Sequence, residues 1–306
     1  LTSHVCRDNC TPINADYANL TFILPLPCFL KFADTQSTAM PLFQFTNGIY
    51  DTDRCKFYPC KDSKGRSAWE ALIADGVHRK ADCINSFDVE CFTTDGVPHP
   101  YMDIPTPTLD RIVGHQVPEE DRAQVLPWIY CHLGRLMFPP NMHDNWKSLL
   151  FIHGAAATGK STLVDMFVDM FGGNNVAFVP SGADGASVDA LGKSLWVCSD
   201  ARDDFAFQRY WESPGLVCSN TLPRLLWSPD FKLAVTPICF NNSVPVGEQD
   251  SGLADLLVKE MGCIIPKLCS AYVTLAVHSP SRAPAEPGLV RTWRNQITRE
   301  AMSMAK

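Results

Sequence analysis

The octapeptide Gly154-Ala-Ala-Ala-Thr-Gly-Lys160-Ser161 sets the strongest limit on what this chain can fold into. It matches the phosphate-loop pattern G-x-x-x-x-G-K-[ST] at every fixed position. It also stands where that pattern has physical meaning. The apolar run Leu149-Leu-Phe-Ile152 precedes it, and a helical stretch from Thr162 to Phe171, closed by Gly172-Gly173, follows. A loop that turns from a buried strand into a helix aims successive backbone N–H groups at one point, and the helix N-terminus adds partial positive charge there. The residues expected to cradle the phosphates of ATP are therefore Gly154, Ala155, Ala156, Ala157, Thr158, Gly159, Lys160, Ser161 and Thr162. Lys160 is expected to reach the β- and γ-phosphates, and the Ser161 hydroxyl to ligate Mg²⁺.

Further short apolar runs, Ser194 to Cys198 and Ala234 to Phe240, fit strands of the same sheet. Such runs alternating with helices predict a parallel sheet covered on both faces. Upstream, Ile104-Pro-Thr-Pro-Thr108 reads as extended. Thr108 or Asp110 is expected to open a helix through Gln116, and Glu119-Glu-Asp121 to supply the acidic first turn of another that runs to about Met137. The first 100 residues are broken by Pro, Gly, Asn and Asp into short β-type runs such as Leu20 to Leu24 and Phe43 to Phe45, and read as a small mixed module. The predicted class is α/β: a P-loop NTPase-like parallel sheet with flanking helices, preceded by a small α+β module.

Hydrolysis also needs an acid to place Mg²⁺ or water and a polar group to sense the γ-phosphate. Leu195-Trp-Val-Cys198 runs into Ser199-Asp200, so Asp200 is the candidate carboxylate and Mg²⁺ ligand, whereas Asp203 and Asp204 read as a solvated face. Ala234 to Phe240 ends in Asn241-Asn242, whose amides are candidates for the sensor although Asn also favours turns.

Composition excludes some alternatives. At 306 residues, 46% hydrophobic and 19% charged, the chain can bury a sizeable core. Its net charge of −7 argues against a protein coated for duplex DNA but leaves room for a local basic channel. The run Leu20 to Phe32 is interrupted by Pro25, Pro27 and Lys31, so no membrane span and no membrane partner is expected. The chain starts at Leu1 without a leader-like segment and is expected to be a fragment. Cys6/Cys10 and Cys55/Cys60, with Cys83, Cys91, His78 and His99 downstream, are weighed as zinc ligands. No second tight pair follows either one, so reduced thiols in a cytosol-like compartment are the expectation.

Taken with Asn47-Gly-Ile-Tyr-Asp51, Phe57-Tyr-Pro59, Ile104-Pro-Thr-Pro107, Gln116, Leu133-Gly-Arg135 and Asp144-Asn-Trp146, the three elements resemble a superfamily 3 helicase of the AAA+ class. The similarity is to the C-terminal helicase half of poxvirus-type primase-helicases of large DNA viruses. It covers roughly residues 40 to 275. The resemblance implies an N-terminal module over 1–103, a helical collar-like segment over 104–140, an ATPase core over 141–250 and an incomplete C-terminal helical segment over 251–306. It implies that Lys160 and Ser161 bind ATP and Mg²⁺, that Asp200 is the Walker B acid, and that Asn242 rather than Asn241 is the sensor. It further implies single-stranded DNA as partner, with Arg224 or Lys232 lining the channel, and a homo-oligomer in the form of a hexameric ring. It also implies a primase domain or other replication proteins as partners, and an intracellular site of action, at viral replication in host cytoplasm or nucleus.

The family's Ser-Arg-Arg-like stretch, which supplies an arginine to the neighbouring subunit's ATP, is missing after Pro245, where Asp250-Ser-Gly252 runs directly into Leu253. A degenerate homologue that binds ATP and partners without efficient hydrolysis is therefore the second reading. A P-loop kinase or unrelated NTPase is the third.

Overall fold

The computed structural model describes residues 41–76, 83–92, 100–146, 148–180, 193–202, 214–223, 235–281 and 283–304. The punctuated N-terminal region forms a small sheet of β1 (Leu42–Phe45), β2 (Gly48–Asp51), β3 (Lys56–Pro59) and β4 (Asn85–Ser86), in the order β3-β2-β1-β4. β1 and β4 run parallel, and the other pairs are antiparallel. Helix α1 (Ala68–Ala74) starts at a Ser67/Glu70 capping box and buries Ala68, Ala71 and Leu72 against Leu42, Ile49 and Tyr58. Alternation along β1 and β2 sends Phe43, Phe45 and Tyr50 into the large core instead.

Two helices follow. α2 (Pro107–Gly114) begins with proline at its first position, where a missing N–H costs nothing. α3 (Arg122–Arg135) is entered through a 3-10 turn at Glu119–Asp121. The run ahead of the octapeptide is β5 (Leu149–His153), and the octapeptide leads into α4 (Lys160–Phe171). Then come β6 (Val176–Phe178), β7 (Leu195–Cys198), β8 (Gly215–Ser219), β9 (Val235–Cys239), the long α5 (Leu253–His278) and α6 (Gly288–Met304).

The second sheet is all parallel, ordered β6-β7-β8-β5-β9. Every residue of β7, β8 and β9 is buried, as expected of strands covered on both faces. Two of its strands, β6 and β8, go beyond the runs that the sequence pattern predicts. β8 opens at Gly215 directly after Pro214, a pair that reads as a turn. In the structure the Trp196 ring of β7 lies across Gly215, where a Cβ would come within 2.0 Å of it.

α5 is long and apolar enough to cross a membrane by length and composition, but 72% of its apolar window is buried inside the protein, against α2, α3 and α4. It contains Pro266, which cannot donate to the Gly262 carbonyl one turn earlier. The Phe92 N–H takes that acceptor at 2.8 Å, so the helix continues without an orphaned carbonyl. Two buried polar clusters fix α5 to its neighbours. Lys267, 2% exposed, donates to Thr106 and Asp110 of the α2 entry and stands over the Tyr130 ring. Asp144 accepts from Arg135 Nε at 2.9 Å, Tyr272 Oη at 2.5 Å and the Trp146 N–H at 2.6 Å.

Candidate functional site

The loop after β5 leaves the sheet between β8 and β9. The Gly154 N–H donates to the Ser219 carbonyl of β8 at 3.2 Å, and the Phe240 N–H beyond β9 donates to the His153 carbonyl at 2.7 Å. Gly154 has φ 154°, and a Cβ there would lie 1.9 Å from the Phe240 carbonyl oxygen, so the first glycine is required by close backbone approach. Ala157 occupies the left-handed region at φ 58°, a conformation that costs a residue with a Cβ about 1–2 kcal/mol. Two bonds brace this turn: the Val244 N–H to the Ala157 carbonyl at 2.9 Å and Thr158 Oγ1 to the Ala155 carbonyl at 3.0 Å.

Lys160 folds back into the loop that it follows. Its side chain is 8% exposed, and Nζ donates to the carbonyls of Gly154 (2.8 Å) and Ala155 and to Thr158 Oγ1 (3.3 Å). Burial holds its pKa below the usual lysine value. The cation thus rests on two backbone carbonyls and one hydroxyl of the loop that precedes it. Ser161 is exposed and Thr162 half-buried in the first turn of α4, and Ala155 and Ala156 are exposed on the loop's outer side.

Asp200 lies two residues beyond β7. Continuing the Cys198–Val217 register places it level with Ser219, which pairs with His153 at the loop's root. The Ala201 N–H donates to the Cys218 carbonyl, and Ser219 Oγ donates to the Ala201 carbonyl, so the chain after β7 stays beside β8. Asp200 is exposed, with Arg202 Nε 3.2 Å from its carboxylate. Since β8 separates β7 from β5, the Asp200 strand stands two strand spacings, roughly 10 Å, from the loop strand.

Asn242 is not on this side of the loop. β9 borders β5 on the edge opposite β8, and the Asn242 amide donates to the His115 carbonyl at 2.7 Å. Its backbone N–H and carbonyl are both bonded to the Gln116 side chain. The residue that does end the strand between Asp200 and the loop is Asn220, directly after β8 and exposed. Its strand is too short and too close to Pro214 to stand out in the sequence, so the pattern alone does not single it out. The one available signal was Asn220 at the end of the apolar run Leu216-Val-Cys218, the same signal that singled out Asn242.

Arg224, Lys232, Asp203 and Asp204 lie outside the described residues, as do Cys6, Cys10, His78 and His99. Among the described residues no three His, Cys, Asp or Glu side chains gather closely enough to hold a metal ion. Burial raises several thiols, Cys198 to about 11 and Cys239 to about 12, as expected of small apolar core residues.

A five-stranded parallel sheet flanked by helices, with this loop leaving a strand in its interior, defines an α/β protein of P-loop NTPase-like fold. No family model matches the chain, and no curated protein does. Among solved structures it is similar to an apo structure of the NrS-1 C-terminal region, residues 305–718, at 10% identity and TM-score 0.46, covering 84% of this chain and 71% of that one. An A-form apo structure of the same region is similar at 12% identity and TM-score 0.44, covering 87% and 72%.

Proposed function

We propose that this chain is an ATP-hydrolysing helicase subunit of the superfamily 3 type, translocating on single-stranded DNA during viral genome replication. The observation that carries the reading is the convergence, at one edge of a parallel sheet, of the Lys160 loop with the strand ends bearing Asn220 and Asp200. Lys160 leaves its carbonyl acceptors for the β- and γ-phosphates, and the N–H groups of 155–161 receive the remaining oxygens. Ser161 holds Mg²⁺, and Asp200, on its separated strand, orients Mg²⁺ or the attacking water. Asn220 takes the γ-phosphate-sensing role, and Asn242 is tied to the end of α2 through the His115 carbonyl and the Gln116 side chain. The segments that carry the family resemblance support the same reading, because Gln116, Arg135, Asp144 and Trp146 all sit in the layer that braces the loop and α5. A hexameric homo-oligomer, a DNA channel near Arg224 or Lys232, and an attached primase domain or other replication proteins belong to this proposal.

A second reading, a degenerate homologue that binds ATP without efficient turnover, is favoured by one feature. Residues 241–252 contain no Lys or Arg, and nearby Arg111 is ion-paired to Asp250 at 3.0 Å. An arginine supplied to the phosphates is worth about three to five orders of magnitude in rate. ATP hydrolysis with and without single-stranded DNA, with Lys160→Ala as the blank, separates the two. DNA-stimulated turnover above the blank supports the motor. Binding without turnover supports the degenerate homologue, and a folded wild-type chain that binds no ATP refutes both.

A further inference from the structure

We infer that Gln116 is a positioning residue that clasps the phosphate loop to the helical layer, so that filling the loop with a nucleoside triphosphate is transmitted to α2 and α5. This rests on the ATP reading above. The Gln116 side chain is 5% exposed and uses both ends of its amide. Nε2 donates to the Thr158 carbonyl at 3.1 Å and to the Asn242 carbonyl at 2.9 Å, while Oε1 accepts from the Asn242 N–H at 2.8 Å. One side chain just past α2 therefore joins the loop, the segment leaving β9 and the helix.

The rest of α2 belongs mechanically to α5. The N–H groups of Thr108 and Leu109, at its free N-terminus, donate to the Glu260 carboxylate. Asp110 is ion-paired to the buried Lys267 at 2.8 Å. Arg111 reaches Asp250, just ahead of α5. Each of these ties a residue of α2 to α5 or to its entry, and Gln116 is the side chain that carries the connection into the loop.

Occupancy acts on the same residue that Gln116 holds. Lys160 Nζ now donates to Thr158 Oγ1 and to the carbonyls of Gly154 and Ala155. A triphosphate competes for that ammonium, and when Lys160 turns to it, Thr158 loses a donor and the loop rearranges around it. The Thr158 carbonyl passes the change to Gln116 and thence to α2.

The test uses Gln116→Glu and Gln116→Met in the full chain. In the glutamate variant an ionised carboxylate faces the carbonyls of Thr158 and Asn242, whereas the protonated acid again donates to one of them. Its affinity for a fluorescent ATP analogue, relative to wild type at the same pH, should fall about tenfold or more at pH 8 and recover most of that loss at pH 5.5. The methionine variant should be weakened at both pH values. ATP should slow hydrogen exchange of the α2 amides in wild type, and leave them unchanged in Gln116→Met at ATP concentrations that saturate it. A glutamate-to-wild-type ratio that stays within twofold across the pH range overturns the inference, as does full protection of α2 in Gln116→Met. If the methionine variant does not fold, the pH ratio of the glutamate variant decides. A wild-type chain that binds no ATP overturns the nucleotide reading together with the coupling, whereas normal ATP binding with no pH signature overturns the coupling alone.

Discussion

Exchanging the two strand-end asparagines for alanine separates the sequence-derived sensor from the one the sheet positions. In Asn242→Ala the bond from the side-chain amide to the His115 carbonyl, 2.7 Å long and near the surface, is lost, while both backbone bonds to Gln116 remain. A bond of this kind contributes about 0.5–1.5 kcal/mol. For a chain of this size, at about 2–4 °C per kcal/mol, the melting temperature should drop by about 1–6 °C. Turnover should change no more than about threefold, since the loop keeps its main-chain bracing. Asn220→Ala should do the reverse. The side chain is exposed, so stability should stay within about 0.5 kcal/mol of wild type. If the amide meets charge that develops on the γ-phosphate, kcat should fall about 10²–10³-fold, the cost of one preorganised donor, with ATP affinity within a few fold. The assay is kcat and KM for ATP hydrolysis in the presence of single-stranded DNA, with a thermal melt of each variant. A collapse of kcat in Asn242→Ala alongside wild-type turnover in Asn220→Ala would show that strand order is a wrong guide to the sensor.

Two further perturbations test the frame that holds the loop. Asp144→Ala leaves the buried Arg135 guanidinium without its carboxylate, which should cost about 3–5 kcal/mol and about 6–20 °C of melting temperature; a loss below about 1 kcal/mol would mean that Arg135 is hydrated in the folded protein. His132 lies between the Trp128 and Trp146 rings, at 4.2 and 5.7 Å, and burial pushes its pKa down to about 3. Because the unfolded imidazole titrates near 6.5, the unfolded state binds more protons between those values, so this residue's contribution is present above pH 6.5 and lost at about 1.4 kcal/mol per unit as pH falls towards 3. In denaturant titrations His132→Leu should flatten the acid limb by that slope relative to wild type, and an unchanged slope would rule out a neutral buried imidazole.

Local chemistry carried much of this molecule in plain view. A loop closed by Gly154 and Gly159 between a buried strand and an apolar-faced helix needs only adjacent residues to define it, which is why β5 and α4 could be read within two residues of their ends. The same holds for β7 and β9, and for Asp200 at a strand end, whereas α3 begins three residues after Glu119, whose acidic stretch forms a 3-10 turn instead. Strand order is a different kind of information. Fully buried strands show no alternation, β8 is a short run that opens at Gly215 directly after Pro214, and its place between β7 and β5 is settled by Trp196 lying over Gly215 and by pairing between residues distant in sequence. That placement alone brings Asn220 between the Asp200 strand and the loop strand and puts Asn242 beyond the loop strand. Gln116 could be noticed in the sequence, but its partners Thr158 and Asn242 come from segments 42 and 126 residues away. Hydrogen bonds over such separations exist only once the chain has closed, so local periodicity determined the elements and long-range pairing decided which side chains meet.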